Sequence, residues 1–154
     1  MNRKTFIKLS ACAFLALPVA AQAQNIQCPT GLDFGEIIGC AGGGSVTIRP
    51  TQGRTITGCL AAADAAFSTG RCTVTQPLPL NALQISVIDS AIDMDGESGQ
   101  VSVGDFKLMN DAGGEMVTST AASLSVPLGA TLRVKPGQTA GSYAGTFTIN
   151  VNYQ

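Results

Sequence analysis

Four cysteines, Cys28, Cys40, Cys59 and Cys72, are the residues of this chain best suited to chemistry. Thiol groups can bind zinc, act as nucleophiles or form disulfides. No pair has the Cys-x-x-Cys spacing of a zinc site, and the chain has no histidine. The fifth cysteine, Cys12, lies in the predicted signal peptide described below and is removed with it. Because an even number of cysteines in the exported mature chain favours disulfides, we predict two bridges and no metal.

The spacing of the cysteines restricts how they can pair. If Leu32–Ile38 forms a strand, Cys28 and Cys40 lie at its opposite ends, beyond the ~7 Å between Cα atoms that a disulfide tolerates. If the glycine-rich stretch that follows makes a hairpin turn, Cys28 lies opposite the region of Cys59, which leaves Cys40 to pair with Cys72. A local Cys59–Cys72 bridge remains an alternative.

The densest group of carboxylates is Asp89, Asp93, Asp95 and Glu97. Residues 93–97 resemble part of a calcium loop, but the glycine comes too early and the distal bidentate glutamate is missing. Asp-Gly is a strong signal for a hairpin turn. A solvated turn is therefore the favoured interpretation over a calcium site.

The rest of the composition argues against catalysis. Histidine is absent, the predicted disulfides remove the thiolates, there is no Gly-x-Ser-x-Gly motif, and the glycine run 42–44 lacks the lysine of a phosphate loop. We predict that the protein is not an enzyme and has no cofactor.

The amino terminus is typical of a secretory signal peptide. Basic residues precede the apolar stretch Leu9–Ala20, and Ala21–Ala23 fits the small-x-small cleavage pattern. Since a membrane helix needs ~20 apolar residues, we predict cleavage of residues 1–23, with no retained transmembrane segment and an exported protein. Cys12 lies in a motif similar to a lipoprotein cleavage site, but the apolar stretch follows that motif instead of preceding it.

The remaining residues, 24–154, have the length of one domain. Removal of the signal peptide leaves six basic against ten acidic residues, a net charge of −4. An acidic, charge-poor surface is a poor match for nucleic-acid phosphates, so we predict no nucleic-acid partner.

Short alternating or apolar runs separated by turn residues predict an all-β domain, an antiparallel β-sandwich or barrel. Alternation along the predicted strands indicates which side chains point into the core. These residues are Leu32, Phe34, Val46, Ile48, Leu83, Ile85, Val87, Leu132 and Val134. The predicted strands are 32–38, 45–49, 65–68, 72–75, 83–89, 100–109, 123–127, 131–135 and 143–153.

The last of these strands has the clearest pattern in the chain. Apolar or aromatic residues alternate with polar ones from Phe147 to Tyr153, which indicates a half-buried strand. The residues that share its apolar face are Tyr143, Gly145, Phe147, Ile149, Val151 and Tyr153. The other reading of this pattern is one core strand of a self-sufficient domain.

This ending resembles that of pilin subunits of bacterial chaperone-usher systems, which close with a glycine fourteenth from the end, an alternating strand and a penultimate tyrosine. Gly141 and Tyr153 occupy these positions. The resemblance implies that the terminal strand pairs with a periplasmic chaperone, and then with another surface subunit, by β-augmentation. It also implies an immunoglobulin-like Greek-key sandwich, delivered to the periplasm and then to the cell surface or the extracellular space.

Most of the mature chain is also similar to domain-of-unknown-function family 4402, which comprises secreted bacterial domains considered similar to fimbrial subunits. The matching segments are 32–37, 43–48, 65–67, 126–134 and 140–153. The four cysteines depart from this family and resemble the spore coat protein U group. The resemblance implies a structural or adhesive subunit of a surface appendage. Only Gln24–Pro29 precede the first predicted strand, however, so a self-complete secreted or periplasmic binding module is the alternative.

Overall fold

The computed structural model describes residues 25–77, 81–97, 99–110 and 113–153. The predicted signal peptide, with Cys12, lies outside these described residues. The described residues form strands and no helix, and all the strand pairs are antiparallel, which confirms the predicted all-β class. The strands are β1 (Asn25–Thr30), β2 (Ile37–Ile38), β3 (Gly44–Ile48), β4 (Arg54–Gly58), β5 (Ala61–Ala62), β6 (Gly70–Thr75), β7 (Leu83–Val87), β8 (Ala91–Gly96), β9 (Gly99–Leu108), β10 (Met116–Ser119), β11 (Ser123–Val134), β12 (Tyr143–Ala144) and β13 (Ile149–Tyr153).

The larger sheet is organised around β11, a strand of 12 residues. Its first half pairs with β6, where Leu128 lies opposite Gly70, and its second half pairs with β3, where Ala130 lies opposite Ile48. Strand β9 follows the other side of β11. Strands β1, β4, β8 and β12 extend this sheet outward through β6, β3, β9 and β8 respectively.

The smaller sheet has the order β10-β7-β13, and β2 pairs with β5 in a separate two-residue ladder. The inner faces of the two larger sheets share one apolar core, which gives a sandwich-like arrangement. Strand β7 illustrates how one face of a strand enters this core: Leu83, Ile85 and Val87 are buried, whereas the side chains between them are half-buried. Such a period of two is what a strand with one covered face produces.

The predicted inward residues lie in this core. Phe34, Val46, Ile48, Leu83, Ile85, Val87 and Leu132 are buried, and Leu32 and Val134 are half-buried against them. The predicted segments 123–127 and 131–135 form the single strand β11. The strand stays continuous through Gly129 because it pairs with β6 before this residue and with β3 after it. Gly129 lies close to β3, since an added Cβ would be 2.2 Å from the Ile48 carbonyl oxygen.

The prediction of a strand over Leu32–Ile38 was wrong for most of its length. Only β2 and an isolated bridge between Asp33 and Ser68 are found there. The reason is Gly35, which has a φ of +76° and whose amide donates to the Asp33 carboxylate at 2.9 Å. Positive φ is the conformation that glycine adopts at least cost, and it ends an extended run. The predicted strand over 65–68 is likewise absent.

Sequence analysis missed five strands, β1, β4, β5, β8 and β10. Residues 93–96, interpreted as part of a turn, belong to β8. The hairpin turn lies between Gly96 and Gly99, which form the last pair of the β8–β9 ladder. Every residue of β1 is exposed, and β8 and β10 alternate between exposed and half-buried positions. Because few side chains of such strands are buried, their sequences show little of the apolar alternation by which strands are predicted.

The structure contains the two predicted disulfides, but the pairing that we favoured was wrong: the bridges are Cys28–Cys72 and Cys40–Cys59. Strand β1 places Gln27 opposite Thr73 and so brings Cys28 beside Cys72. The β3–β4 hairpin pairs Gly44 with Gly58, which brings the residues before β3 close to those after β4. Two disulfides fit a protein of an oxidising compartment such as the periplasm or the extracellular space.

None of the described residues belongs to a helix with the length and hydrophobicity of a transmembrane segment.

Candidate functional site

Strand β13 ends the smaller sheet and faces the core with alternate side chains. Ile149 lies opposite Val87, and Val151 lies opposite Ile85. Both β7 residues are buried, whereas Ile149 and Val151 are only half-buried. Their side chains are therefore on the core face but incompletely covered.

Among the described strands, only β7 pairs with β13, so the backbone of β13 is hydrogen-bonded along one side. The Ile88 amide donates to the Thr148 carbonyl at 3.0 Å, and the Thr148 amide donates to the Asp89 carboxylate at 2.9 Å. Thr148 thus directs its polar groups toward β7, and the alternation of an antiparallel ladder gives the same direction to Asn150 and Asn152. Ile149 and Val151 direct theirs outward, where no strand among the described residues pairs with β13.

A groove of about 980 Å³ opens on the inner face of the larger sheet. Its floor consists of Met94, Val101, Leu132 and Val134, on β8, β9 and β11. One wall is residues 32–41 and the other is residues 137–145, just before β13. We call it the apolar groove. Of the floor residues, Met94 and Val134 are half-buried, whereas Val101 and Leu132 are buried.

The wall of residues 32–41 has little strand of its own, and Arg54 links it to residues 64–67. The Arg54 guanidinium donates to the Phe34 and Ala66 carbonyls at 3.1 Å each and also to the Asp64 carbonyl. It lies 5.2 Å from the centre of the Phe67 ring and 3.9 Å from the Asp64 carboxylate. The Arg54 side chain is only 8% exposed, so these bonds replace water as its partners.

Two further ties hold the same wall. Ile37 and Ile38 pair with Ala62 and Ala61 in the β2–β5 ladder. The Cys40–Cys59 disulfide joins the end of the wall to the residue after β4. Since Cys40 itself lines the groove, this bridge fixes one edge of the opening.

The opposite wall is held by Tyr143. Its hydroxyl donates to the Thr139 carbonyl and accepts from the Gln138 side-chain amide at 2.9 Å. Tyr143 pairs with Gly96 in the β12–β8 ladder, and a Cβ on that glycine would lie 2.5 Å from the tyrosine ring. Gly96 therefore leaves the space that the ring occupies.

The structure places the predicted strand-pairing residues in two groups. Gly141 and Tyr143 belong to the groove wall, while the residues from Phe147 onward follow β7. The Phe147 and Phe106 rings lie 5.3 Å apart, and Tyr153 lies opposite Leu83 in the register. The predicted strand over 143–153 is thus two strands, because Tyr143 and Ala144 pair with β8 and the chain then crosses to the other sheet.

Sequence analysis did not identify residues 32–41 as a groove wall, nor Arg54 as their support. The one signal was Arg54 itself, a charge at the start of the alternating run 54–58. Asp33 and Glu36 are the charged residues that line the described groove, and no lysine or arginine lines it there.

The carboxylates considered as a calcium site do not converge. Asp93 and Asp95 are exposed on β8, and Asp95 accepts a hydrogen bond from the Gln100 side chain at 2.7 Å. No group of three metal-ligating side chains occurs within the described ranges. The chemistry that the apolar groove offers is contact with apolar side chains, and the outer edge of β13 offers backbone hydrogen bonding.

Comparison with known proteins gives one match. The model of the family described as a domain of unknown function (DUF4402) matches residues 25–153. No curated protein and no solved structure gives a significant match.

Proposed function

The chain belongs to the DUF4402 family of domains of unknown function, and we propose that it is a structural or adhesive subunit of a bacterial surface appendage, assembled by β-strand complementation. In this proposal a strand from a periplasmic chaperone, and later from a neighbouring subunit, lies in the apolar groove and pairs with β13. The domain is exported and non-enzymatic, and its strands follow the immunoglobulin-like Greek key of pilins.

The observation that carries the proposal is the combination of an apolar groove with an unpaired strand edge. A partner strand beside β13 would receive hydrogen bonds from the outward backbone of Ile149 and Val151. Its alternate side chains would cover Met94 and Val134, the half-buried residues of the groove floor. Strand addition uses both terms, since backbone hydrogen bonds supply affinity and pockets for alternate side chains supply specificity.

A proline substitution at β13 tests the pairing directly. Val151→Pro removes an outward amide while keeping an apolar side chain, and an edge strand tolerates proline at such a position. A nine-residue peptide with valine or isoleucine alternating with threonine serves as the strand. We expect the peptide to raise the Tm of the wild-type chain and to bind the variant about tenfold more weakly, because one hydrogen bond is lost and the ring obstructs the edge.

The matched control is Asn152→Pro, which removes an amide that faces β7. We expect this variant to lower the free energy of unfolding by about 3 kcal/mol, in contrast to Val151→Pro, because it breaks the existing ladder. Hydrogen exchange in the complex should show new protection of the Ile149 and Val151 amides.

The alternative is a self-complete secreted or periplasmic binding module, in which the groove holds a ligand other than a strand. If the alternating peptide leaves both the Tm and the exchange of these two amides unchanged, strand complementation is wrong and the module is the better account.

A further inference from the structure

Strand β1 is the segment of the described chain best placed to leave its sheet and serve as a donor strand. It lies at an edge, it is the first described element, and all six of its residues are exposed. Ile26 remains 40% exposed although it pairs with the buried Val74. Burial therefore contributes little to holding β1 in place.

A covalent bond holds it instead. Cys28, in the middle of β1, is joined to Cys72 of β6 within the same domain. The ladder between the two strands is also irregular between Gln27 and Thr30, where Pro29 has no amide to donate. While this bridge is oxidised, β1 cannot move to the groove of another copy.

The charge of the apolar groove points to the nature of the strand that does fill it. Asp33 and Glu36 lie on the same wall, and the lysines and arginines of the described chain lie elsewhere. Arg54, on β4 behind this wall, is paired with Asp64 and with the Phe34 carbonyl. Strand β1 offers no complement, since Asn25–Thr30 contains no basic residue.

We propose, on the basis of the function proposed above, that the strand bound by the apolar groove comes from a different protein and carries basic residues between its apolar ones. The chain accepts a strand, and its own β1 does not serve as the donor. Its place in an assembly would then be at an end, or in a pair with a carrier protein, and not inside a polymer of identical copies.

Three nine-residue peptides test the charge preference. All carry the same valine and isoleucine residues, and the residues between them are threonine in one peptide, with two lysines or two glutamates introduced in the others. At low salt we expect the lysine peptide to bind the full-length, oxidised chain about fivefold more tightly than the glutamate peptide. The ratio should approach one at 1 M salt, where charges are screened beyond ~3 Å.

Glu36→Gln identifies the source of the preference, because this side chain lines the groove and is exposed. We expect the variant to lower the ratio of the lysine peptide's affinity to the glutamate peptide's affinity about twofold. Glu115→Gln, at an exposed carboxylate before β10, is the matched control and should leave the ratio unchanged. Equal binding of the lysine and glutamate peptides to the wild-type chain would overturn the proposal.

The second arm asks whether the chain can supply its own strand. We expect a peptide of residues 24–31, with serine in place of Cys28, not to bind, and the oxidised chain to remain unpolymerised at high concentration in analytical ultracentrifugation. Polymers that form without added peptide would overturn the inference. If none of the three alternating peptides binds, the proposed function fails as well; if the threonine peptide binds and charge has no effect, only this inference fails.

Discussion

Arg54 shows how a single side chain can hold a segment that has almost no regular structure. Its guanidinium donates to carbonyl groups of Phe34, Asp64 and Ala66, which lie at different places along the chain. A planar group with five donors can serve several acceptors at once, whereas a lysine ammonium is a point charge. The position of residues 32–41 therefore depends on the shape of this group as well as on its charge.

Arg54→Lys should lower the free energy of unfolding by about 2 kcal/mol, because three carbonyls lose hydrogen bonds to a charged group that a lysine cannot make at the same time. Urea unfolding of the oxidised protein measures the change. The control is Arg49→Lys, since the exposed Arg49 donates to a single hydroxyl, that of Thr55, and should change stability by less than about 0.5 kcal/mol. Equal losses in the two variants would contradict the role given to Arg54.

At this scale the sequence predicts core residues better than it predicts supporting ones. Leu83, Ile85 and Val87 alternate with polar neighbours, and this local pattern is enough to assign their buried face. The partners of Arg54 are backbone carbonyls 10 to 20 positions away. No local pattern encodes such contacts, because every residue has a carbonyl group.

The two disulfides act on different elements of the fold. Cys28–Cys72 joins the edge strand β1 to β6, while Cys40–Cys59 joins a groove wall to the end of β4. The first bridge leaves the groove lining untouched, and the second includes a lining residue. The same covalent chemistry thus restrains the amino-terminal strand in one place and the opening of the groove in the other.

Replacing Cys40 and Cys59 by alanine should lower the free energy of unfolding by about 2 to 4 kcal/mol. It should also weaken binding of the alternating threonine peptide at least threefold, because the wall of residues 32–41 becomes mobile and must be ordered when the peptide binds. Replacing Cys28 and Cys72 should cost a similar amount of stability without changing affinity. Chemical unfolding and titration of the two double variants measure both effects. Equal affinities in the two variants would refute the role given to the Cys40–Cys59 bridge.

Element prediction succeeded where strands are long or buried and failed where they are short or exposed. Strand β9 extends over ten residues with buried alternate positions, and it was predicted almost completely. Strand β1 has no buried residue, and β12 has two residues that join a different sheet from β13. The crossing between β12 and β13 is decided by tertiary pairing, which the alternating pattern of 143–153 does not reveal.

As a whole, the molecule combines a shared core with an incomplete cover. The core is built from both sheets, but the smaller sheet has three strands and leaves part of the inner face of the larger sheet open. Half-buried residues such as Met94 and Val134 lie at this opening. Apolar surface of this kind next to an unpaired edge favours association with other chains.

The native, oxidised chain should therefore bind an environment-sensitive apolar dye before any unfolding occurs. Adding the alternating threonine peptide should remove most of the dye fluorescence with the same midpoint as the rise in Tm, because both ligands cover the same floor. A fluorescence titration below the unfolding temperature measures this. Dye fluorescence that is absent from the native chain, or that the peptide does not reduce, would mean that the groove is closed in solution.

The long central strand β11 also sets the order in which the fold can form. The four disulfide-bonded cysteines precede residue 73, whereas the strand that pairs with β3, β6 and β9 begins only at Ser123. If the chain is exported as proposed, its amino-terminal half enters the oxidising compartment about fifty residues before this partner strand, and contacts this distant in sequence form slowly. Oxidation of these cysteines can then restrict the amino-terminal half to a few near-native arrangements before the core forms.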